Sequence, residues 1–379
     1  MSRKYKVCVI GFAHMHINTL LDEFARLPAV EWAACADTKP DVPSNSTKDS
    51  TRAANMRRAR EVTHIPRSYD DYREMLEKEK PQIVVFCPEN AKHGEVAEAI
   101  ASHGAHMITE KPMSASLSDA LRMARAVRSH KVELMVNWPV TWSPAVRAVK
   151  SLLDQGVIGE PWQVKWRNGA SMGPLAYGVG AQEVTDDEKG AEWWHRSSAG
   201  GGALLDYCCY GACLSRWYLG QKPEAAVAMK ANIASSYGDA EDNAVITVRF
   251  PKAIAVLEGT WTTWHTGVPQ GPYIYGTRGT LVVDHATDPS TGKDAQVVKV
   301  YTTRAYSGEP DRLVFGDPLP TGRATLAEEF IHHLETGDPL HPTLGIQMNL
   351  EAMAILDAGI KSAAQGIQVP VNNEVWCIG

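Results

Sequence analysis

The chemistry in this chain is concentrated in two short stretches. Glu110-Lys111-Pro112 follows the apolar run Ala105-His106-Met107-Ile108-Thr109, roughly a hundred residues after a strand-glycine-helix start. That order sets a lysine at the carboxyl edge of a parallel sheet, where open α/β sheets bind their ligands. Lysine, with an ordinary pKa near ~10.4, is a poor base at neutral pH. Beside an oxidised, positively charged nicotinamide its pKa is expected to fall, which would make Lys111 a proton carrier for alcohol–carbonyl chemistry. The second stretch is Gly200-Gly201-Gly202-Ala203-Leu204-Leu205-Asp206-Tyr207-Cys208-Cys209-Tyr210. Its glycines open an apolar helix that runs to Leu219 and stops at Gly220, with Asp206 and Arg216 as the only charges. A carboxylate in such a helix is costly without a partner. Asp206 and Tyr210 stand four apart on one face, and that face is expected to meet Lys111. A purely structural Asp–Lys tie between two lobes would leave the same pattern.

A nicotinamide also needs a cradle. Gly11-Phe12-Ala13-His14-Met15-His16 lies between a strand and a helix, where a dinucleotide fingerprint reads G-x-G-x-x-G. Gly11 permits the tight turn, and Ala13 is small enough for a pyrophosphate to approach. His16 replaces the third glycine and should loosen helix–strand packing. Asp37 ends the second strand, where a carboxylate accepts the ribose hydroxyls and repels a 2′-phosphate. NAD is therefore favoured over NADP, although Lys39, Arg52, Arg57 and Arg58 pull the other way. After the third strand, Cys87, Pro88 and Asn90 would shape the loop at the nicotinamide ribose. His93 either reaches the cofactor or only begins the next helix.

These residues have to be positioned by regular elements. Residues 1–137 alternate apolar strands (Val7–Ile10, Val30–Ala36, Gln82–Cys87, Leu134–Val136) with amphipathic helices, the pattern of a parallel sheet covered on both faces. From Trp162 the pattern changes. Segments around 244–250, 254–261, 280–284 and 297–301 follow one another as strands without intervening helices, which indicates an antiparallel or mixed sheet. Helices near 324–335 and 344–364 close the chain. The expected domains are 1–137 and 138–379. Residues 168–196 are rich in Gly, Trp, Tyr and acid without a period, as in a functional loop. Tyr177, Trp193 and Trp194 favour an ordered lid or pocket wall, with His195 beside them as a candidate substrate contact; core packing of a long loop is the alternative.

The bulk numbers exclude several classes. At 379 residues two domains are the default. A net charge of −6 argues against nucleic-acid binding, and no apolar run approaches the roughly 20 residues of a membrane span. The basic start is followed by a strand broken at Gly11, not by a signal peptide. Seven cysteines without paired spacing read as buried thiols of a reducing, cytoplasmic compartment. No His/Cys set at zinc spacing accompanies Cys208-Cys209, so no metal site is expected.

Taken in order, these motifs resemble the Gfo/Idh/MocA oxidoreductases along nearly the whole chain. The resemblance rests on Glu110-Lys111-Pro112, the Cys87-Pro88…His93 loop, Gly156-Val157-Ile158-Gly159-Glu160, Gly200 to Asp206, Glu241-Asp242-Asn243, Gly276 to Thr280 and Ser362 to Gly366. It implies an N-terminal Rossmann domain and a C-terminal α/β domain with a large open, mostly antiparallel sheet that builds homodimers or homotetramers. It implies NAD(P)-dependent oxidation of a sugar or cyclitol hydroxyl, with Lys111 near the reacting oxygen, Asp206 orienting, and Tyr210 where the family commonly places histidine. Whether Lys111 or Tyr210 moves the proton stays open. Asn137 sits where the family turns a polar residue toward the nicotinamide. Some members instead oxidise transiently and eliminate a glycosidic group without net redox change; a noncatalytic regulator is the remaining alternative.

Overall fold

The computed structural model describes residues 4–169, 173–175, 183–264, 267–305 and 307–373. Tyr177 lies outside these residues. The first 137 residues fold as β1 (Tyr5–Phe12), α1 (Ile17–Ala25), β2 (Val30–Ala36), α2 (Arg52–Glu61), β3 (Ser68–Tyr69), α3 (Tyr72–Glu79), β4 (Ile83–Cys87), α4 (His93–Ser102), β5 (His106–Glu110), α5 (Leu117–His130) and β6 (Leu134–Asn137). The sheet order is β3-β2-β1-β4-β5-β6, with every pair parallel. That is the doubly wound order, and its switch point lies between β1 and β4, where a crevice opens at the strand ends. The elements follow from local rules. α1 buries Ile17, Leu20, Leu21 and Phe24 at helical spacing. α5 starts on Ser116, whose side chain accepts from the Asp119 amide, and ends on Lys131 in the left-handed conformation. β4 is buried at all five residues because helices cover both faces.

The remainder contains α6 (Pro144–Asp154), β7 (Pro161–Gly169), α7 (Asp186–Ala191), α8 (Cys209–Leu219), β8 (Ala225–Ala231), β9 (Asn243–Phe250), β10 (Ala253–Thr260), β11 (Tyr273–Gly276), β12 (Gly279–Thr287), β13 (Asp294–Tyr301), β14 (Arg312–Val314), α9 (Leu326–Thr336), α10 (Ile346–Gln365) and β15 (Val369–Pro370). Nine strands form one sheet in the order β14-β13-β12-β11-β7-β10-β9-β8-β15. β7 and β10 are parallel; the other pairs are antiparallel. Helices α6, α8 and α10 pack on one face. The strict alternation of β9 leaves its other face open, and Trp162, Val227, Met229, Val245 and Ile254 are exposed apolar residues of these strands.

The segment 168–196 holds one element that its composition concealed. α7 starts from a capping box in which Thr185 and Glu188 satisfy each other's backbone amides. The six described cysteines are buried and unpaired. No helix among the described residues is long and apolar enough to cross a membrane.

Candidate active site

Lys111 leaves the end of β5 and is almost fully buried, at 2% exposure. Its Nζ donates to Asp206 Oδ1 at 2.8 Å and to the Asp206 carbonyl at 2.9 Å. Asp206 lies in Leu204–Cys208, a π-helical turn ahead of α8. Such turns break the regular ladder and recur at functional sites. Gly202, in the left-handed region, lets the entering chain pass against Glu241, where a Cβ would meet the carboxylate at 2.2 Å. Asp206 Oδ2 accepts from the Trp261 indole at 3.2 Å. Burial would drive the Lys111 ammonium down. The charge of Asp206 opposes it, followed by Tyr210, Cys209 and Glu110, and the ammonium ends well above its usual range. The fall in pKa expected from sequence is not the resting condition: Lys111 is a held cation. Tyr210 lies one turn on, with Lys111 Nζ 4.7 Å from its ring centroid. The cation therefore faces the ring, and burial raises the phenol above its ordinary value.

The turn after β1 differs from the expected cradle. The amides of Ala13 and His14 donate to the Cys87 carbonyl at 2.9 and 3.4 Å. Gly11 is required because a Cβ there would meet the Pro88 nitrogen at 2.5 Å, so its neighbour is protein backbone. Ala13, only 1% exposed, is covered by Trp193, whose indole N–H donates to its carbonyl at 2.8 Å. His16 does not simply loosen the helix. Its Nδ1 lies 2.7 Å from Glu110 Oε1, while the Asn137 amide donates to Glu110 Oε2. His14 lies beside His16, with ring centroids 4.3 Å apart and planes tilted by 54°. Burial, then the nearby His16 and Lys111, hold His14 well below the usual imidazole range.

At the far end of the crevice, Asp37 Oδ1 accepts from the Phe12 amide at 3.1 Å and the Thr38 amide at 2.8 Å. Arg52 bridges Asp37 and Glu89. Lys48 and Ser46 bond Glu188 of α7, and Ser44 bonds Glu192. This clasp closes the segment 183–192 over the 40–48 loop.

Between the lobes lies a cavity of about 240 Å³. His14, Met15, His16, Lys111, Asp206 and Tyr210 line it, with Trp194 and Tyr207 beside them and Asn168 and Gln270 at the sheet end. The structure thus brings Lys111, Asp206, Tyr210, His14, Met15, Glu110, Asn137 and Trp194 together. It sets others apart. Phe12, Cys87 and His93 are fully buried. His93 Nδ1 bonds the Met113 carbonyl at 3.0 Å and its ring packs on Phe86. Asn90 ties to the Gly200 carbonyl at 2.9 Å, joining the lobes. His195 packs between Trp261 and Tyr237, and Trp193 faces the turn. Sequence reasoning did not single out His16 as a site residue, nor Arg52, Tyr207, Asn168 or Gln270. Only the H-x-H spacing of His14 and His16 carried a signal.

Residues 6–138 match the oxidoreductase family with an NAD-binding Rossmann fold, and residues 146–282 match the GFO/IDH/MocA C-terminal domain. The chain belongs to the Gfo/Idh/MocA family. Its residues 6–138 are that family's NAD-binding Rossmann domain. Among curated relatives, D-xylose 1-dehydrogenase (NADP(+)) of Haloarcula marismortui is 27% identical over 235 residues, 62% of this chain and 61% of that protein. Inositol 2-dehydrogenase of Rhizobium meliloti is 24% identical over 292 residues, 76% of this chain and 80% of that protein. The match to the first of these spans about three-fifths of its length. Among solved structures, the aldose-aldose oxidoreductase from Caulobacter crescentus complexed with glycerol superposes with a TM-score of 0.73 at 20% identity, covering 97% of this chain and all of that one. Levoglucosan dehydrogenase, in complex with NADH and levoglucosan, gives 0.71 at 20% identity with 97% and 100% covered.

The residues of this Gfo/Idh/MocA protein suit NAD at both ends of the crevice. Asn137 Oδ1 is buried without a hydrogen-bond partner among the described residues, beside Glu110 and the lysine. An unpaired buried acceptor at this edge fits an amide N–H such as a nicotinamide carboxamide carries. Asp37 would supply the acceptor at the ribose end. Arg52 there is already shared by two carboxylates, which leaves net negative charge against a 2′-phosphate.

Proposed function

We propose that this protein is an NAD-dependent dehydrogenase acting on a hydroxyl of a sugar or cyclitol. The observation that carries this is the buried Lys111–Asp206 pair, which opens with Tyr210 into a cavity at the carboxyl edge of the parallel sheet. NAD, when bound, supplies the hydride acceptor. An ammonium has three donors, and Asp206 takes two of them. The third can meet the substrate oxygen and favour its alkoxide. Lys111, cationic at rest, is then the acid of the carbonyl-reducing direction. Tyr210 is the second proton carrier, and Asp206 orients Lys111. Of the aromatic segment, Trp194 is positioned to stack on a ring. Glu110 and Asn137 hold the nicotinamide end, Asp37 the ribose end.

The division at 137/138 and a cytoplasmic location belong to the same proposal. So does a homodimer or homotetramer through the exposed apolar face of the nine-stranded sheet. A relative named 2,7-anhydro-N-acetylneuraminate hydratase, 22% identical over 79% of this chain, favours a second reading: cleavage through transient oxidation with NAD regenerated. Sugars, cyclitols and glycosides incubated with NAD decide between them, with both NADH and released aglycone followed. Lys111→Ala should lose turnover and keep NAD binding; near-normal turnover defeats the assignment of Lys111.

A further inference from the structure

We propose that His14, His16 and Glu110 form a binding site for one divalent first-row transition ion, with its open positions facing the cavity beside Lys111. One ligand atom from each residue lies within 4.8 Å of the others. His16 Nδ1 and Glu110 Oε1 are 2.7 Å apart. Metal–nitrogen and metal–oxygen bonds of about 2.0–2.2 Å put tetrahedral ligands roughly 3.3–3.5 Å from one another. The site therefore closes on an ion with shifts of about an ångström. Two imidazoles and one carboxylate are the donor set that binds iron(II) or zinc while leaving positions for substrate oxygen.

The charge distribution asks for a cation here. Glu110 is 1% exposed, and a buried carboxylate is expensive without a compensating charge. Lys111 is already committed to Asp206. Among the described residues, the only ion pair of Glu110 is with His16, which is charged only when protonated. A divalent ion would neutralise Glu110 and leave both imidazoles neutral. The Asn137 amide on Glu110 Oε2 orients the carboxylate in the manner of an outer-shell metal-site partner. Two bonds must change. His16 Nδ1 gives up its proton and its 2.7 Å hydrogen bond to Glu110 Oε1, and His14 Nδ1 now accepts from the His16 amide at 3.1 Å. Ligation through Nε2 would move the proton to Nδ1 and give up that contact. His14 and His16 both line the cavity, so two adjacent oxygens of a diol or hydroxy-ketone could complete the ion's coordination.

The site shares Glu110 and Asn137 with the nicotinamide end of the proposed function, but its test needs neither NAD nor turnover. The untagged, EDTA-treated full chain is titrated with Co²⁺ and, separately, with Zn²⁺, by calorimetry and by the visible spectrum of bound cobalt. One equivalent is expected, with zinc displacing cobalt. His16→Gln and Glu110→Gln should weaken binding on the order of a hundredfold. His332→Gln, an imidazole outside the site, should leave it unchanged. Circular dichroism checks that each variant is folded. If the wild-type chain takes up no stoichiometric cobalt, or if uptake survives both site substitutions, the proposal is overturned.

Discussion

Asp206→Asn removes one charge, is nearly isosteric, and leaves Lys111 buried. At 2.8 Å and an effective dielectric near ~20, the lost attraction is about 6 kcal/mol. Asparagine keeps a carbonyl oxygen near the ammonium, and some water will follow the charge. The expected loss of stability is about 3–5 kcal/mol, as for other buried pairs broken on one side. The pH dependence should change sign. In the parent protein Lys111 is held above its unfolded value, so its contribution is complete below ~10.4 and is lost only as pH rises through the higher folded value. Without Asp206, burial is opposed only by weaker charges and the folded value drops below the unfolded one. The folded state then binds fewer protons, and stability rises with pH over the interval between the two values. Urea denaturation at several pH values measures both effects. The double variant Lys111→Met/Asp206→Asn should recover most of the loss, because no unpaired charge remains. A cost under about 1 kcal/mol for Asp206→Asn, with no recovery in the double variant, would show an exposed-type pair and refute the reasoning.

Tyr210→Phe keeps the ring under Lys111 and removes only the hydroxyl. If the phenol carries a proton, kcat falls about 10²–10⁴-fold with folding intact; an unchanged kcat assigns the proton to Lys111 alone. Trp193→Phe strips the Ala13 carbonyl of its buried donor, and urea denaturation should register a loss of about 1–3 kcal/mol. Glu188 is held down to about 2, first by Lys48, then by the Thr185 amide and Ser46. A depressed carboxylate contributes stability above its unfolded value near ~4.3 and loses it as pH falls toward the folded value. The clasp on the 40–48 loop should therefore stay closed at pH 5 and open only in that lower window. A carbon-13 NMR titration of Glu188 with an ordinary midpoint would show that the clasp does not form.

What could be read from the chain was local or strongly periodic. The strands of the parallel sheet, the Lys111 edge, the Asp206 helix and Asp37 all lie in short segments whose own pattern fixes them. What escaped was pairing across distance. His16 meets Glu110 across 94 positions, and nothing around either residue signals the other. Arg52 was weighed only as a basic residue near the ribose, because its two carboxylates come from different strand ends. Trp193 and Trp194 are adjacent and chemically alike, yet one seals the turn and the other lines the cavity. α7 was hidden in an aperiodic segment, although Thr185 and Glu188 spelled its start. The burial that keeps His93 away from any ligand is set by packing under Phe86, which a single sequence does not display.

The strand order of the larger sheet also constrains how this protein can be made. β7 emerges early, yet its two neighbours are β10 and β11, so it has no partner until the ribosome has released residue 260 and lacks its second until residue 276. Hairpins β9–β10 and β12–β13 can close at once, being adjacent in sequence. Synthesis therefore leaves a lone, unpaired strand waiting beside a finished N-terminal lobe. That interval is when a chaperone would matter most.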